Sequence, residues 1–204
     1  MPSILRTDNI TNLSKDKLGI DLVNSNITYN NITVGKVGNG FGGFTGNVIQ
    51  ESYTQLTTSG ATSSVNIPVD NTIPQNTEGA EILTCSITPK YENSILFIES
   101  NMFLGESGNP SNGLIMALFR DSNVNAISTS YISSDFANSV FGATLTTGFL
   151  YLKARDVSGT VSPITYRIRV GGGTNNTAVR WNGVASQFFN GTLISYIKIS
   201  EIQQ

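Results

Sequence analysis

The chain has 204 residues, a formal net charge of −2 and no histidine. Its length suits one β-sandwich or barrel domain, or one domain with an appendage. Without histidine no Ser-His-Asp triad, Cys-His pair or histidine metal site can be built, and the single cysteine, Cys85, can form neither an internal disulfide nor a cysteine zinc site.

Charged residues make up 13% of the chain, about half the usual share of roughly 25%. Ser, Thr and Asn together approach a third of it. Val, Ile, Thr and aromatics are plentiful, which favours strands. No basic residue lies between Lys36 and Lys90, so phosphate-led nucleic-acid binding is not expected. No apolar run approaches the roughly 20 residues of a membrane span. The start, MPSILRTDNI, lacks a leader's apolar stretch. The expectation is synthesis in a cytoplasm, with no membrane insertion.

Residues 1–47 are polar, Asn-rich and then Gly-rich, with Asn-Ile-Thr at 9–11, 26–28 and 31–33. Short strands are expected, with a brief helix over Asn12–Leu18 between a Thr11 cap and Gly19. This zone cannot bury a core alone and would order against a partner. The stretch Gly38–Gly46 reads as a joint.

From residue 48 onward the chain reads as strands: Val48–Leu56, Thr62–Val69, Ala80–Ile87, Ser94–Leu104, Leu114–Arg120, Ala126–Ile132, Ala143–Leu152, Thr165–Val170, Thr177–Asn182 and Leu193–Ile202. Pro68, Pro74, Pro89, Pro110 and Pro163 fall at their ends or between them. Tyr166, Ile168 and Val170 share one face of their strand, and Thr165, Arg167 and Arg169 the other. Cys85 sits in an apolar stretch and reads as a buried, inert thiol.

Two strands carry apolar residues on both faces. In Leu193–Ile202 these are Leu193, Ile197 and Ile199 against Ile194, Tyr196 and Ile202; in Gly148–Leu152, Leu150 and Leu152 oppose Phe149 and Tyr151. A sandwich buries one face of each sheet, so a second sheet or a second subunit must cover the other. Phe149, Tyr151, Tyr196, Ile197 and Ile199 are the candidate interface residues.

Motifs of known chemistry fail on context. Gly38–Gly43 matches G-x-G-x-x-G, but no helix pattern or acidic partner follows. Asp121–Asn125 begins like a calcium loop, but Ala126 and Ile132 stand where Gly and Glu are required. Ser195 and Lys198 have Ser-x-x-Lys spacing, which on a strand points them to opposite faces. No Asp/Glu cluster suggests a glycosidase pair. Trp181 with Asn182 has two readings: a glycan contact, an aromatic beside an amide, or a core or interface aromatic. No catalytic, metal or cofactor residue is assigned.

The ordered set of strands resembles a β-domain of tail fibres, head fibres and capsid-decoration proteins of tailed phages, especially marine and cyanobacterial ones. The matching pieces are Gly46–Gln50, Ser86–Lys90 with Ser94–Leu96, Leu118–Ser122, Ile164–Ile168 and Ser200–Ile202. They span about three quarters of the chain. The resemblance implies an all-β fold, a jelly-roll sandwich of about 8–10 antiparallel strands similar to C1q and tumour-necrosis-factor heads, after a short extended anchoring segment. It also implies a homotrimer and a non-enzymatic protein on the virion surface. Residues 1–47 would attach it to the major capsid protein or a tail adaptor. Leu152–Asp156 departs from the family's short Leu-Asp-x-Pro link. A long tail fibre needs a shaft, and 47 residues do not supply one, so a capsid decoration protein or short head fibre is the expected form. The alternative is a tail-fibre tip that grips a host glycan or surface protein.

Overall fold

The computed structural model describes residues 47–62, 66–107, 112–133, 147–174, 178–184 and 186–202. The strands, helix and joint expected before residue 47 lie outside them. Ten strands form among the described residues: β1 (Val48–Leu56), β2 (Gly60–Ala61), β3 (Ala80–Ile87), β4 (Ile95–Ser107), β5 (Leu114–Arg120), β6 (Ser128–Ile132), β7 (Thr147–Val157), β8 (Ile164–Gly172), β9 (Ala178–Trp181) and β10 (Ser195–Ile202).

One sheet runs β1–β10–β4, with β7 on the other edge of β4; β9 and then β2 extend it beside the end of β4. The second sheet runs β3–β8–β5–β6. Every strand pairing is antiparallel. The 13 residues of β4 make it the spine of the first sheet: β10 takes Ile95–Asn101 and β9 takes Leu104–Ser107, while β7 runs along Ile95–Gly105. The steps β3 to β4, β4 to β5, β6 to β7 and β7 to β8 each change sheet, and β5–β6 remains a hairpin. That alternation makes the sandwich a jelly roll. Side chains bind the sheet edges together: Ser52 Oγ donates to the Ser86 carbonyl at 2.8 Å, and Ser128 Oγ to the Lys153 carbonyl at 3.3 Å.

The core follows from the two-residue period of strands. Leu96, Ile98, Met102 and Leu104 of β4 meet Leu114, Met116 and Leu118 of β5 and Tyr166, Ile168 and Val170 of β8 between the sheets. Each such side chain contributes about 1.5–3 kcal/mol by leaving water. Cys85 is free and buried there, and burial pushes its thiol pKa up.

β5 is apolar on both faces. Its second face, Ile115, Ala117 and Phe119, packs against Ile67 in a separate cluster. The chain itself supplies this cover: residues 66–79 cross the outside of the second sheet as a strap. Ile67 N–H donates to the Gly172 carbonyl at 3.0 Å, and Ala126 N–H to the Pro74 carbonyl at 2.9 Å. Arg169 of β8 donates to the carbonyls of Glu78 and Gly79 at 2.6 and 2.7 Å. The approach is close: a Cβ on Gly171 would lie 2.6 Å from the Ile67 nitrogen. Of the strand expected over Thr62–Val69, residues 63–65 lie outside the described residues, and the reading is corrected for residues 66–69. Asn66 makes one isolated bridge to Gly172, and Ile67 plugs the outside of the sheet instead of extending one. Of the strand expected over Ala143–Leu152, residues 143–146 lie outside the described residues; β7 continues past Leu152 to Val157, with Lys153 and Arg155 exposed and Ala154 against the core.

Two polar nodes, one buried and one partly exposed, fasten the loops at one end of the sandwich. Glu201 is fully buried, yet it accepts hydrogen bonds from Gln50 Nε2 (2.5 Å), Ser94 Oγ (2.5 Å), Lys90 N–H (2.8 Å) and Tyr91 N–H (3.3 Å). Burial works to raise its pKa, but the donors prevail and hold it below the usual value. In the second node the Tyr166 hydroxyl donates to Asp156 at 2.7 Å, and Arg120 donates to the same carboxylate at 2.9 Å. Burial, reinforced by Asp156, drives the Tyr166 pKa well up.

Candidate functional site: an aromatic sheet face

The outward face of the first sheet is set by the parity that builds its core. Where Ile197 and Ile199 point inward, Tyr196 and Lys198 point out. Register places Tyr196 beside Asn101 and Gln55, and Asn101 beside Tyr151. The next row along the strands is Tyr53, Lys198, Glu99 and Lys153. Phe103 pairs with Phe149. A loop closes the patch at one end, where Phe189–Gly191 form a single 3-10 turn with Phe189 and Asn190 at φ 50° and 51°.

The rings interlock. Phe103 and Phe149 meet edge-to-face with centroids 5.3 Å apart, Phe103 and Phe188 at 5.6 Å, Phe149 and Tyr151 at 6.4 Å, and Tyr53 and Tyr196 at 5.5 Å. They nonetheless remain in water: Tyr53 is 52% exposed, Phe149 45%, Tyr151 64% and Phe189 74%. The rings form two groups on one face, Tyr53 with Tyr196 and Phe103 with Phe149, Tyr151, Phe188 and Phe189, and exposed aromatic clusters of this kind mark an interaction surface.

A ladder of charges crosses it. Lys198 Nζ lies 3.1 Å from Glu51 and 3.6 Å from Glu99, and Lys153 Nζ lies 3.2 Å from Glu99. The Ser200 hydroxyl, then Lys198, hold the Glu51 carboxyl below its usual pKa. The hydrogen bond to Glu51 raises the pKa of Lys198. Two acids and two bases alternate, so the row is neutral.

Phe149, Tyr151 and Tyr196, expected at an interface, come together on this face. Ile197 and Ile199 do not: both are fully buried between the two sheets, and the reading of these two as interface residues is corrected. The strand is apolar on both sides, but its isoleucines serve the internal core. Sequence reasoning missed Tyr53, Phe97, Phe103, Phe188 and Phe189. For Phe97 and Phe103 a signal existed, since both have the parity opposite to Leu96, Ile98 and Leu104.

The glycan pair is also corrected. Asn182 is fully buried at φ 55°; its amide donates to the Leu56 and Thr58 carbonyls at 2.8 and 3.2 Å and accepts from Ser195 Oγ at 2.7 Å. It braces a turn. Trp181 packs against the core, with its ring over Gly60, where a Cβ would lie 2.1 Å from the indole. Ser195 and Lys198 lie on opposite faces, one bonded to Asn182 and the other to Glu51. Asp121 belongs to a tight turn, at φ 49°, accepting from Thr165 N–H at 2.8 Å. Glu201 and Asp156 are committed to the loop nodes. Among the described residues no group of three or more potential ligands could hold a metal ion, and no helix is long and apolar enough to cross a membrane.

No family model and no curated protein matches the chain. Solved structures of similar outline exist. Eiger TNF from S. frugiperda superposes with a TM-score of 0.41 at 9% identity, over 74% of this chain and 90% of that one. Murine APRIL gives 0.37 at 13%, over 74% and 99%. Dimeric latent PorU from Porphyromonas gingivalis gives 0.37 at 11%, over 80% of this chain but 14% of that one. At these values the likeness assigns neither family nor function. The jelly roll stands on the chain's own strand pairing.

Proposed function

We propose that the chain is a non-enzymatic structural protein of a phage virion, a capsid decoration protein or short head fibre that displays a homotrimeric β-knob. The observation that carries the self-assembly is the aromatic face of the first sheet. Large rings left in water on one chain suit the dry centre of a subunit contact, and a closed ring of subunits hides them and ends growth. The neutral charge ladder across that face suits a contact whose register must be fixed. The number three and the virion setting rest on the ordered motifs from Gly46–Gln50 to Ser200–Ile202. Residues 1–47 would be the attachment segment.

The reading as a receptor-gripping tail tip loses its two named contacts, since Asn182 is buried and Trp181 packs on the core. Light scattering on the purified chain tests assembly, and a mass near three chains is expected. A stable monomer at micromolar concentration overturns it. Labelling on particles tests placement: hundreds of copies over the head are expected, whereas a few at the tail refute decoration.

A further inference from the structure

In the loop that closes the aromatic face, Phe189 and Asn190 both lie in the left-handed region, at φ 50° and 51°. Asparagine tolerates that region, whereas a bulky side chain there is an outlier that costs free energy. No burial of the Phe189 ring offsets the cost: it is 74% exposed, the highest value among the large apolar side chains of the described residues. We infer that Phe189 is the anchor ring of the contact between copies of this chain, held out for a second copy by a strained turn. The inference rests on the self-assembly proposed above and names the side chain that dominates it.

Bonds on both flanks impose the turn. Gln187 Nε2 donates to the Thr57 carbonyl at 3.1 Å, and Phe188 N–H donates to the Asn182 carbonyl at 3.0 Å. On the other side Thr192 donates twice to the Phe189 carbonyl, from its N–H at 3.1 Å and from its hydroxyl at 2.9 Å. Gly191 stands between them at φ 87°, a conformation that favours glycine. These bonds fix a backbone that the Phe189 side chain disfavours and leave its ring in water. Strain held in place by its surroundings, with no packing inside the chain to offset it, points to a use outside the chain.

Two observations make a second copy the occupant. The ring is continuous with the face: Phe189 meets Phe188 edge-to-face at 6.1 Å, Phe188 lies 5.6 Å from Phe103, and Phe103 lies 5.3 Å from Phe149. That face also alternates its charges, Glu51 and Glu99 with Lys198 and Lys153. A second copy of it offers each sign its opposite, which a partner of one charge does not. A ring standing off the surface loses more exposed area when covered than one lying flat on it, and aromatic anchors dominate such contacts.

The test is sedimentation equilibrium of the full chain, with far-UV circular dichroism on each variant. Phe189→Asn suits the left-handed turn and removes the ring; Phe189→Gly does the same and carries the test if the first does not fold. Association should weaken about tenfold or more in either variant, while the β signature is kept. Ile73→Asn removes a half-exposed apolar side chain from the strap over the other sheet, and should leave association within about twofold of the parent. A parent that sediments as a monomer overturns the assembly reading and this inference together. A parent that assembles, with a smaller loss in the Phe189 variants, overturns this inference alone. Loss of the β signature in both Phe189 variants overturns it because the ring would then serve its own chain. Equal weakening in Ile73→Asn overturns it because the association would then be general stickiness.

Discussion

Replacing Glu201 with alanine should be among the most damaging single changes in the domain. The carboxylate is fully buried and gathers four donors: the Gln50 amide, the Ser94 hydroxyl and the backbone N–H groups of Lys90 and Tyr91. Hydrogen bonds to a charged group are worth about 1.5–3 kcal/mol each, and each buried donor left unpaired costs about 1–3 kcal/mol. Water can reach the exposed Lys90 and Tyr91 once the side chain is gone, whereas Ser94 is 2% exposed. The loss is therefore set by two or three donors, about 3–5 kcal/mol, a fall in Tm of roughly 10 °C for a domain of this size. The assay is urea unfolding followed by the fluorescence of Trp181, the only tryptophan, at one fixed protein concentration. The pH dependence has a definite sign. Because the folded pKa lies below the ordinary glutamate value, the carboxylate stabilises the fold above that ordinary value, and the stabilisation is lost as pH falls through the folded one. Glu201→Gln should therefore trail the parent at neutral pH and converge with it in acid. A Glu201→Ala protein within 1 kcal/mol of the parent, or a gap to Glu201→Gln that widens in acid, refutes the reasoning.

Phe149→Glu with Tyr151→Glu should shift the chain to a monomer by sedimentation while far-UV circular dichroism keeps its β signature, since both rings stand outside the core. Cys85 should resist thiol reagents in the native state and react fully in denaturant, because burial both shields the thiol and raises its pKa; rapid native labelling would contradict this. Gly171→Ala should loosen the strap, its Cβ meeting the Ile67 nitrogen at 2.6 Å. Limited proteolysis should then cut within residues 66–79 several-fold faster than in the parent. Trp181→Ala should cost about 3–5 kcal/mol of stability by cavity formation, read by thermal denaturation; a variant that melts with the parent would show that the ring is not packed on the core.

Strand positions were legible where alternation was clean. Val48–Leu56, Ala80–Ile87 and Leu114–Arg120 have the same bounds in sequence and structure. What the sequence could not reveal is which face of a doubly apolar strand turns inward. β10 and β5 illustrate the two outcomes. In β10 the isoleucines face the internal core and Tyr196 faces out; in β5 the second apolar face is covered by the chain's own strap rather than by another subunit. Parity assigns residues to sides, but only the packing of the opposite sheet says which side is interior. The strap was hidden because Ile67 looks like a strand residue, and its role depends on glycines more than a hundred positions away at the end of β8. Residue type left Trp181 and Asn182 open between a sugar contact and a core or interface aromatic, and a turn at positive φ places the asparagine inside, where its amide caps the carbonyls of Leu56 at the end of β1 and of Thr58 just after it.

The strap also gives the sandwich two unlike sides. With Ile67 seated on Ile115, Ala117 and Phe119, the second sheet turns outward a strap on which Val69 and Ile73 stand about half exposed among polar residues, while the first sheet presents rings. A slab sticky on both faces can stack back to back and front to front without limit, like cards in a deck. Here the continuous apolar stripe on one side, Ile115, Ala117 and Phe119, is laminated by the chain itself. The same fourteen-residue segment, residues 66–79, that completes the fold thus withdraws that stripe from stacking.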